Sequence, residues 1–419
     1  MYQHKFHFVC ENCNKTIVPT SIKYLCDDCE KKNTNKNPTH GVLKTIYDYK
    51  KIKQDFSHEL FKNLSARKFI DILPIQSAES LSFLKVGETP IYNISENVKA
   101  HDYSVFLKDD SQNPTFSLKD RASNLVTAFA KENKIKTIIA ASTGNAGSSL
   151  AGICASQKQK SIIIVPASAP KAKLIQAQMY GGKIIPVKSN YDSAFDLSIS
   201  LSKKYGFYNR NTAYNPLTIE GKKTVAFEIF SQLGDTVPDR IFVPVGDGVI
   251  ISAVYKGFED LLKLQVIDKM PTIVAVQAIG SSNLISNLYK SNFVWKSSKT
   301  IADSISVDIP RNFFMARNFI IKYQGETILL NDKEILEASD KLSKSTGIFA
   351  EPAASASFAA FTKYAANNKL KNDTINVILS TGSGLKDVKS VENIFQIQEP
   401  IEANIEEVIR QFGTNILVS

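Results

Sequence analysis

Short, continuously apolar runs recur along this chain beyond residue 100, and longer stretches of helical periodicity separate them. The runs lie at residues 105–107, 137–140, 161–165, 183–187, 241–245, 273–276 and 375–379. A strand with one face in water alternates apolar and polar residues, whereas a continuous apolar run is typical of a strand that is buried on both faces of a parallel sheet. The pattern therefore predicts an α/β fold.

Four polar segments lie next to these predicted strands and helices. Residues 113–121 carry Lys119 at the start of a predicted helix, residues 141–147 and 243–252 connect a strand to a helix, and residues 379–387 follow the last strand. In open α/β sheets, ligands bind beyond the carboxyl ends of the strands. Each segment alone is also typical of a surface lysine, a helix cap or an ordinary loop. It is their combination that indicates a binding site.

In this combination and order, the four segments resemble those of the fold-type II enzymes that depend on pyridoxal 5′-phosphate (PLP). This group includes the tryptophan synthase β chain, and the resemblance is strongest to the threonine synthases. Residues 86–90 and 381–387 add further matches, and the resemblance covers about residues 70–390. It implies a PLP-dependent lyase with two α/β domains around parallel-rich sheets and an active site between them. It also implies a homodimer, the commonest symmetric assembly.

The resemblance assigns contacts with the cofactor to particular residues. Lys119 would hold PLP as a Schiff base and, once freed, act as the general base beside the substrate Cα. Asn145 would lie beside the cofactor ring and hydrogen-bond its phenolic oxygen. Thr381 would meet the pyridine nitrogen, where a neutral hydroxyl favours elimination or replacement over transamination. Glu351 is expected to give structural support near the cofactor.

Two further sets of residues would bind anionic groups. The cofactor phosphate needs a concave set of backbone N–H groups at a helix N-terminus, and the substrate carboxylate needs hydroxyl and amide donors. The expected phosphate ligands are Gly246, Asp247, Gly248, Val249 and Ile250, and the expected carboxylate ligands are Ser142, Thr143, Gly144 and Ala146. Asp247 is expected to offer only its backbone N–H group.

The threonine synthases convert O-phosphohomoserine and water to threonine and phosphate, so they need a second anion site for the substrate phosphate. In the family an arginine two residues after an Asn-Pro pair binds that phosphate, but here Thr218 follows Asn215 and Pro216 at the corresponding distance. A hydroxyl group cannot replace the charge and the paired hydrogen bonds of a guanidinium group. Another cation is therefore expected in the cleft, and the candidates are Arg210, Lys222, Lys223, Lys171 and Lys173.

The departure at Thr218 leaves three other functions open. One is a PLP-dependent ammonia-lyase acting on threonine, serine or diaminopropionate. Another is a β-replacement synthase that makes a nonstandard amino acid. The third is a non-catalytic relative whose N-terminal segment binds a partner, but the intact Lys119 and Asn145 argue against it.

Four of the five cysteines form two Cys-x-x-Cys pairs near the N-terminus, Cys10 with Cys13 and Cys26 with Cys29. This spacing matches a zinc ribbon, in which each pair supplies two thiolates to a tetrahedral ion. The zinc would be structural, because four thiolates leave no open position for chemistry. Disulfides and a ribbon that has lost its metal are the alternatives, and a cytoplasmic location disfavours the disulfides.

The composition is that of an ordinary globular protein, with 43% hydrophobic and 22% charged residues. A net charge of +10 invites comparison with nucleic-acid-binding proteins, but here the lysines are spread along the chain instead of clustered. No apolar run is long enough for a transmembrane helix, and no apolar signal-like segment follows the N-terminus. We therefore expect a cytoplasmic protein that binds a small amino-acid substrate and neither nucleic acid nor membranes.

The segments divide the chain into four expected parts. A zinc-ribbon-like segment spans about residues 1–35 and a helical arm spans 36–85. A large PLP-binding domain comprises 86–124 and 223–419, and a small domain at 125–222 is inserted into it. The small domain is expected to close over the substrate. The core is expected to fold without the ribbon, which is assumed to lie outside it.

Overall fold

The computed structural model describes residues 5–34, 36–56, 59–167, 169, 171–392 and 400–413, with the backbone alone at 171–173. The strands are β1 (Phe6–Cys10), β2 (Thr16–Ile17), β3 (Leu43–Tyr47), β4 (Ile91–Asn93), β5 (Ser104–Asp109), β6 (Thr137–Ala141), β7 (Lys160–Pro166), β8 (Lys183–Val187), β9 (Tyr208–Asn209), β10 (Arg240–Pro244), β11 (Thr272–Ala278), β12 (Glu326–Leu330) and β13 (Ile375–Ser380). The helices are α1 (Asp27–Glu30), α2 (Tyr49–Asp55), α3 (Leu60–Ala66), α4 (Lys119–Glu132), α5 (Asn145–Ser156), α6 (Lys171–Met179), α7 (Tyr191–Tyr205), α8 (Leu217–Lys222), α9 (Thr224–Gln232), α10 (Val249–Lys263), α11 (Phe313–Lys322), α12 (Asp332–Thr346), α13 (Pro352–Ala366) and α14 (Ile405–Phe412). None of the described helices has both the length and the apolar character that a membrane crossing requires.

The larger sheet has six strands in the order β12-β11-β10-β13-β5-β4. Five of them run parallel, and β4 pairs antiparallel with β5 at one edge. Predicted apolar runs coincide with β5, β10, β11 and β13, whose residues are largely buried. Because β10 and β13 are neighbours, the loops that follow them leave the same edge of the sheet side by side.

A second sheet has four parallel strands in the order β8-β7-β6-β9. All of them lie between residues 137 and 209, within the small domain expected at 125–222. Helices α5 and α7 pack against β6 and β7. Two largely parallel sheets, each combined with helices, confirm the predicted α/β class, while the domain boundaries stay a prediction.

The N-terminal sheet has three antiparallel strands in the order β2-β1-β3. Its third strand, Leu43–Tyr47, falls within the segment expected to be helical, so that expectation is wrong for this stretch. Leu43, Thr45 and Tyr47 are buried and alternate with more exposed residues, which is the period of a strand. β-Branched and aromatic residues, which favour strands, support the pairing with β1.

Buried polar contacts join this N-terminal sheet to the rest of the chain. The Tyr47 hydroxyl donates to Glu220 Oε2 at 2.6 Å, and the Tyr49 hydroxyl donates to Asp260 Oδ1 at 2.6 Å. Lys223 pairs with both carboxylates, at 2.5 Å from Glu220 and 2.7 Å from Asp260.

The ribbon also contacts the rest of the chain, because the Tyr24 hydroxyl accepts from Asn209 N at 2.8 Å and the Tyr24 ring stacks on Tyr214 with centroids 4.6 Å apart. The expectation that the ribbon lies outside the core is therefore wrong.

Candidate active site

Lys119 is the first residue of α4, and the loop after β13 fixes its position. Leu118 N donates to Thr381 O at 3.0 Å, and Ser117 forms an antiparallel bridge with Gly382. Within the described ranges, no hydrogen bond engages the Lys119 amine. Burial lowers the pKa of Lys119, and the negative charge of Glu351 opposes that shift. A lowered pKa keeps more of the amine in its nucleophilic, unprotonated form.

A buried ion-pair cluster anchors the first turn of α4. Arg121, two residues after Lys119, places Nε 2.6 Å from Asp110 Oδ2 and Nη1 2.5 Å from Glu228 Oε1. Lys108 also pairs with Glu228, at 2.7 Å. Because these buried charges compensate one another, the cluster holds the start of α4 in one orientation.

The loop from β6 to α5 folds around the hydroxyl group of Ser142. Ser142 Oγ accepts hydrogen bonds from Gly147 N at 2.9 Å and from Gly144 N at 3.3 Å. Asn145 and Ala146 open the helix, and backbone N–H groups in a first turn have no partner within their own helix. This loop therefore offers both hydroxyl and amide donors to an anionic ligand.

Asn145 contacts a buried carboxylate. Its Nδ2 atom donates to both oxygens of Glu351, each at 3.0 Å, and Ser304 Oγ lies 3.3 Å from Glu351 Oε2. Burial raises the pKa of Glu351, and the hydrogen bond from Asn145 opposes this shift. Gly382 passes so close that a Cβ atom there would lie 2.7 Å from Glu351 Oε1. Sequence reasoning missed the contact between Asn145 and Glu351, since the two residues are 206 positions apart.

Asn145 and Glu351 line a cavity of about 450 Å³, a size that suits a small ligand. Lys386 borders this cavity and joins its two sides. Its Nζ atom donates to Gln176 Oε1 at 2.6 Å and to Ser148 Oγ at 2.9 Å. Lys386 lies after β13, a strand of the larger sheet. Ser148 on α5 and Gln176 on α6 lie beside the smaller sheet. The cavity is therefore formed between the two sheets, where Lys386 was not predicted to take part.

The loop between β10 and α10 has the geometry of an anion site. Gly248 has a φ of +85°, and a Cβ atom there would lie 3.0 Å from both Ala316 Cβ and Leu284 Cδ1. A Cβ atom on Gly246 would lie 3.0 Å from Ile305 Cα. Both positions are tight for a side chain, and the loop leads into a helix of 15 residues whose first backbone N–H groups have no partner within the helix. The loop fits a phosphate group.

A neighbouring loop engages Asp247, the acidic residue of this site. Asp247 Oδ1 accepts from Arg311 N at 3.3 Å, and Asp247 O accepts from Asn312 N at 3.0 Å. Asn312 Nδ2 in turn donates to Ser252 Oγ at 2.8 Å, on the first turns of α10. Burial raises the pKa of Asp247, and the charge of Arg311 opposes the shift. Residues 311 and 312, which no motif indicated, thus fix the shape of the loop.

Of the cations considered for a second anion site, Lys223 is already paired with two carboxylates. The side chains of Lys171 and Lys173 lie outside the described part of the structure. Arg210 and Lys222 remain, and both are buried.

The four N-terminal cysteines meet at one point. The Sγ atoms of Cys10, Cys13, Cys26 and Cys29 all lie within 4.8 Å of one another. Cys10 and Cys29 are separated by 3.7 Å, and Cys13 and Cys26 by 3.8 Å. Disulfide sulfurs would be about 2.05 Å apart, whereas four sulfurs at about 2.3 Å from a tetrahedral zinc ion are about 3.8 Å apart. The donor set fits a closed zinc site.

Known proteins resemble this chain along most of its length. A family model described as pyridoxal-phosphate dependent enzyme matches residues 83–382. A threonine synthase from Methanocaldococcus jannaschii is 34% identical over 400 residues, which cover 94% of this chain and 95% of that protein. A threonine synthase from Methanosarcina acetivorans is 31% identical over 408 residues, covering 96% and 98%. The processed form of threonine deaminase isoform 2 from Solanum lycopersicum has a similar fold, with a TM-score of 0.65 at 20% identity over 90% of this chain and 94% of that chain.

Proposed function

This chain belongs to the family of pyridoxal-phosphate dependent enzymes, and we propose that it is a threonine synthase. Such an enzyme converts O-phosphohomoserine and water to threonine and phosphate. The observation that carries the proposal is the similarity to threonine synthases over nearly the full length of both chains. A match confined to the cofactor-binding segments would have supported only the family.

In this proposal, Lys119 binds the cofactor covalently and moves the proton at the substrate Cα. PLP supplies an electron sink for the charge that develops at this carbon. The lowered pKa of Lys119 leaves more of its amine unprotonated, as a general base requires. Over the whole reaction the phosphate group leaves Cγ and water adds at Cβ, so the atoms balance as threonine and inorganic phosphate.

Other residues would orient the cofactor and the substrate. Asn145 and Thr381 would contact the cofactor ring, and their proximity supports this, since a Cβ atom on the adjacent Gly382 would lie 3.4 Å from Asn145 Nδ2. The proposed ligands of the cofactor phosphate are the N–H groups of Gly246, Asp247, Gly248, Val249 and Ile250. The proposed ligands of the substrate carboxylate are Ser142, Thr143, Gly144 and Ala146.

We further propose that Cys10, Cys13, Cys26 and Cys29 hold one structural zinc ion. The separations of their sulfur atoms support this proposal. Assembly as a homodimer, a cytoplasmic location and closure of the small domain stay predictions.

The test is a comparison of two substrates with the PLP-loaded enzyme. We expect release of inorganic phosphate from O-phosphohomoserine, with threonine as the amino-acid product, and much slower release of ammonia from threonine. Both products can be quantified in one assay by amino-acid chromatography and phosphate detection. Threonine absent from the O-phosphohomoserine reaction would reject the proposal.

A PLP-dependent ammonia-lyase is the second candidate, and one residue favours it. Thr218 stands where the resemblance places the arginine that binds the substrate phosphate. An ammonia-lyase needs no such site, because its substrates lack a phosphate group. Rapid ammonia release from threonine, serine or diaminopropionate, without phosphate release from O-phosphohomoserine, would support this candidate instead.

A further inference from the structure

Lys222, the last residue of α8, is a buried lysine whose amine makes no hydrogen bond with the described residues, although the charge of Asp247 acts on it from a longer distance. Its relative exposure is 1%, and among the described residues nothing accepts a hydrogen bond from Nζ. A buried ammonium group without a partner costs free energy. The adjacent Lys223 shows the usual solution, since it contacts two carboxylates. The position of Lys222 is therefore best explained by an anion from outside the chain.

Arg210, just after β9, is a second buried cation of this kind, also 1% exposed. Its Nη1 atom donates to Thr212 Oγ1 at 2.9 Å and its Nε atom donates to Ser123 Oγ at 3.3 Å. Its Nη2 atom has no partner in the part of the chain that the structure describes. Burial lowers the pKa of Arg210 to about 10. Because both of its partners are neutral hydroxyl groups, its charge is not neutralised by them.

Both cations lie close to Lys119. Ser123, which contacts Arg210, is one helical turn after Lys119 on α4. Helix α8 packs so tightly on α4 that a Cβ atom on Gly221 would lie 2.2 Å from a backbone oxygen of that helix. Burial, and then the positive charges of Arg210 and Lys119, lower the pKa of Lys222 well below its ordinary value. The three basic side chains of Lys119, Arg210 and Lys222 thus lie close to one another.

We propose that Lys222 and Arg210 form the site for the phosphate group of O-phosphohomoserine, an inference that rests on the proposed function. Thr218 precedes Lys222 by four residues, so the two lie on the same face of α8. Lys222 would therefore supply a positive charge one helical turn after the position where the family carries its arginine. Thr218 is itself occupied, because its Oγ1 atom donates to Asn215 O at 2.7 Å.

A phosphate dianion matches what this site lacks. Lys222 Nζ and Arg210 Nη2 need acceptors, and phosphate oxygens are strong acceptors for charged donors. The same charges would stabilise the phosphate as it leaves Cγ, so they would act on turnover as well as on binding. A substrate without a phosphate group, such as threonine, would gain nothing from them, and the site would therefore select for the phosphorylated amino acid.

The experiment uses the PLP-loaded enzyme and two probes, O-phosphohomoserine and inorganic phosphate. The variants are Lys222→Met and Arg210→Met, which remove the charge, and Lys222→Arg, which keeps it. The control is Lys183→Met, the same change at an exposed lysine that begins β8. We expect Lys222→Met to lower kcat/KM for O-phosphohomoserine by about 10- to 100-fold and to weaken inhibition by inorganic phosphate. Lys222→Arg should recover part of the loss, and Lys183→Met should change neither quantity.

Three results would separate the possible failures. If O-phosphohomoserine is converted and Lys222→Met converts it as well as the unmodified enzyme, this inference is wrong while the proposed function stands. If O-phosphohomoserine is not converted, but inorganic phosphate binds and Lys222→Met abolishes that binding, the anion site stands and the proposed function fails. If Lys222→Met loses affinity for PLP and not for inorganic phosphate, the two cations serve the cofactor phosphate and the inference is overturned.

Discussion

Lys119 and Lys222 lie close enough for their charges to interact, and neither amine has a hydrogen-bond partner among the described residues. The first is proposed to act through a covalent bond and the second through its charge. Removing each amine should therefore change different properties of the protein.

Lys119→Ala should remove turnover and leave the fold intact. Only the covalent attachment and the base at Cα are lost, so we expect activity to fall by about 10²–10⁴-fold or more. The visible absorbance of the covalently attached cofactor should disappear, while circular dichroism stays unchanged. Lys131→Ala, an exposed change on the same helix, is the control and should keep both absorbance and activity. Full activity in Lys119→Ala would remove the basis of the proposed mechanism.

Lys222→Met should stabilise the protein in buffer free of phosphate. It replaces an unpaired buried charge by an apolar side chain of similar length, a change worth about 1–3 kcal/mol. The pKa of Lys222 is lowered in the folded state, so at intermediate pH the unfolded chain binds one more proton. The stability of the unmodified protein therefore rises with pH across this window, and the advantage of Lys222→Met shrinks. Urea unfolding at several pH values measures the difference, and an advantage that grows with pH would contradict the argument.

Sequence motifs located many of the candidate site residues but few of their contacts. The glycine-rich loops were visible because glycine is favoured where Gly248 has positive φ and where Gly246 has little space for a side chain. The contact of Glu351 with Asn145, and the proximity of Arg210 to Ser123, depend on how distant segments meet. Such pairs leave no local pattern in one sequence.

The start of α10 is the element on which the proposed phosphate site depends. Gly248→Ala combines a strained φ of +85° with two contacts at 3.0 Å, so we expect a loss of about 1–3 kcal/mol in stability and weaker retention of PLP. Gly234→Ala is a matched control, since its φ is +68° and nothing lies within 4 Å of the added Cβ atom. It should lose about 1 kcal/mol through strain alone and retain PLP normally. Equal loss of PLP on dialysis of both variants would show that the contacts do not matter.

Strand β3 shows where periodicity was insufficient. Residues 43–47 precede a stretch of real helix, and a run of five residues is too short to distinguish a period of two from a period of 3.6. The parallel strands were easier to predict, because continuous apolar runs bounded by glycine-rich loops are distinctive. Pairing with β1 decided the conformation of residues 43–47, and that partner is more than 30 residues away.

For the molecule as a whole, metal binding and core stability should be coupled. We expect about one zinc ion per chain, and Cys10→Ser with Cys13→Ser should release it. Because Tyr47 of the N-terminal sheet contacts α8 and Tyr49 of the adjoining α2 contacts α10, zinc loss should lower the unfolding temperature of the entire protein. At free zinc 1,000 times above Kd the ion contributes about 4 kcal/mol. Calorimetry with and without a chelator measures this shift, with a chelator-treated zinc-free variant as control, and an unchanged main transition would contradict the coupling.

The hydrogen bonds of Tyr47 and Tyr49 also restrict which segments of related proteins can be combined in one chain. Each hydroxyl group donates to a carboxylate on a helix far away in sequence, Glu220 and Asp260. A hybrid that takes β1 to α2 from one relative and its remainder from another would keep these contacts only where both relatives carry matching partners. In such a hybrid Lys223 and Lys256 would still pair with the two acids, but the hydrogen bonds that join the N-terminal segment to them would form only if that segment supplied hydroxyl groups at both positions. A functional exchange of the N-terminal segment would therefore have to include the surfaces of α8 and α10 that it contacts.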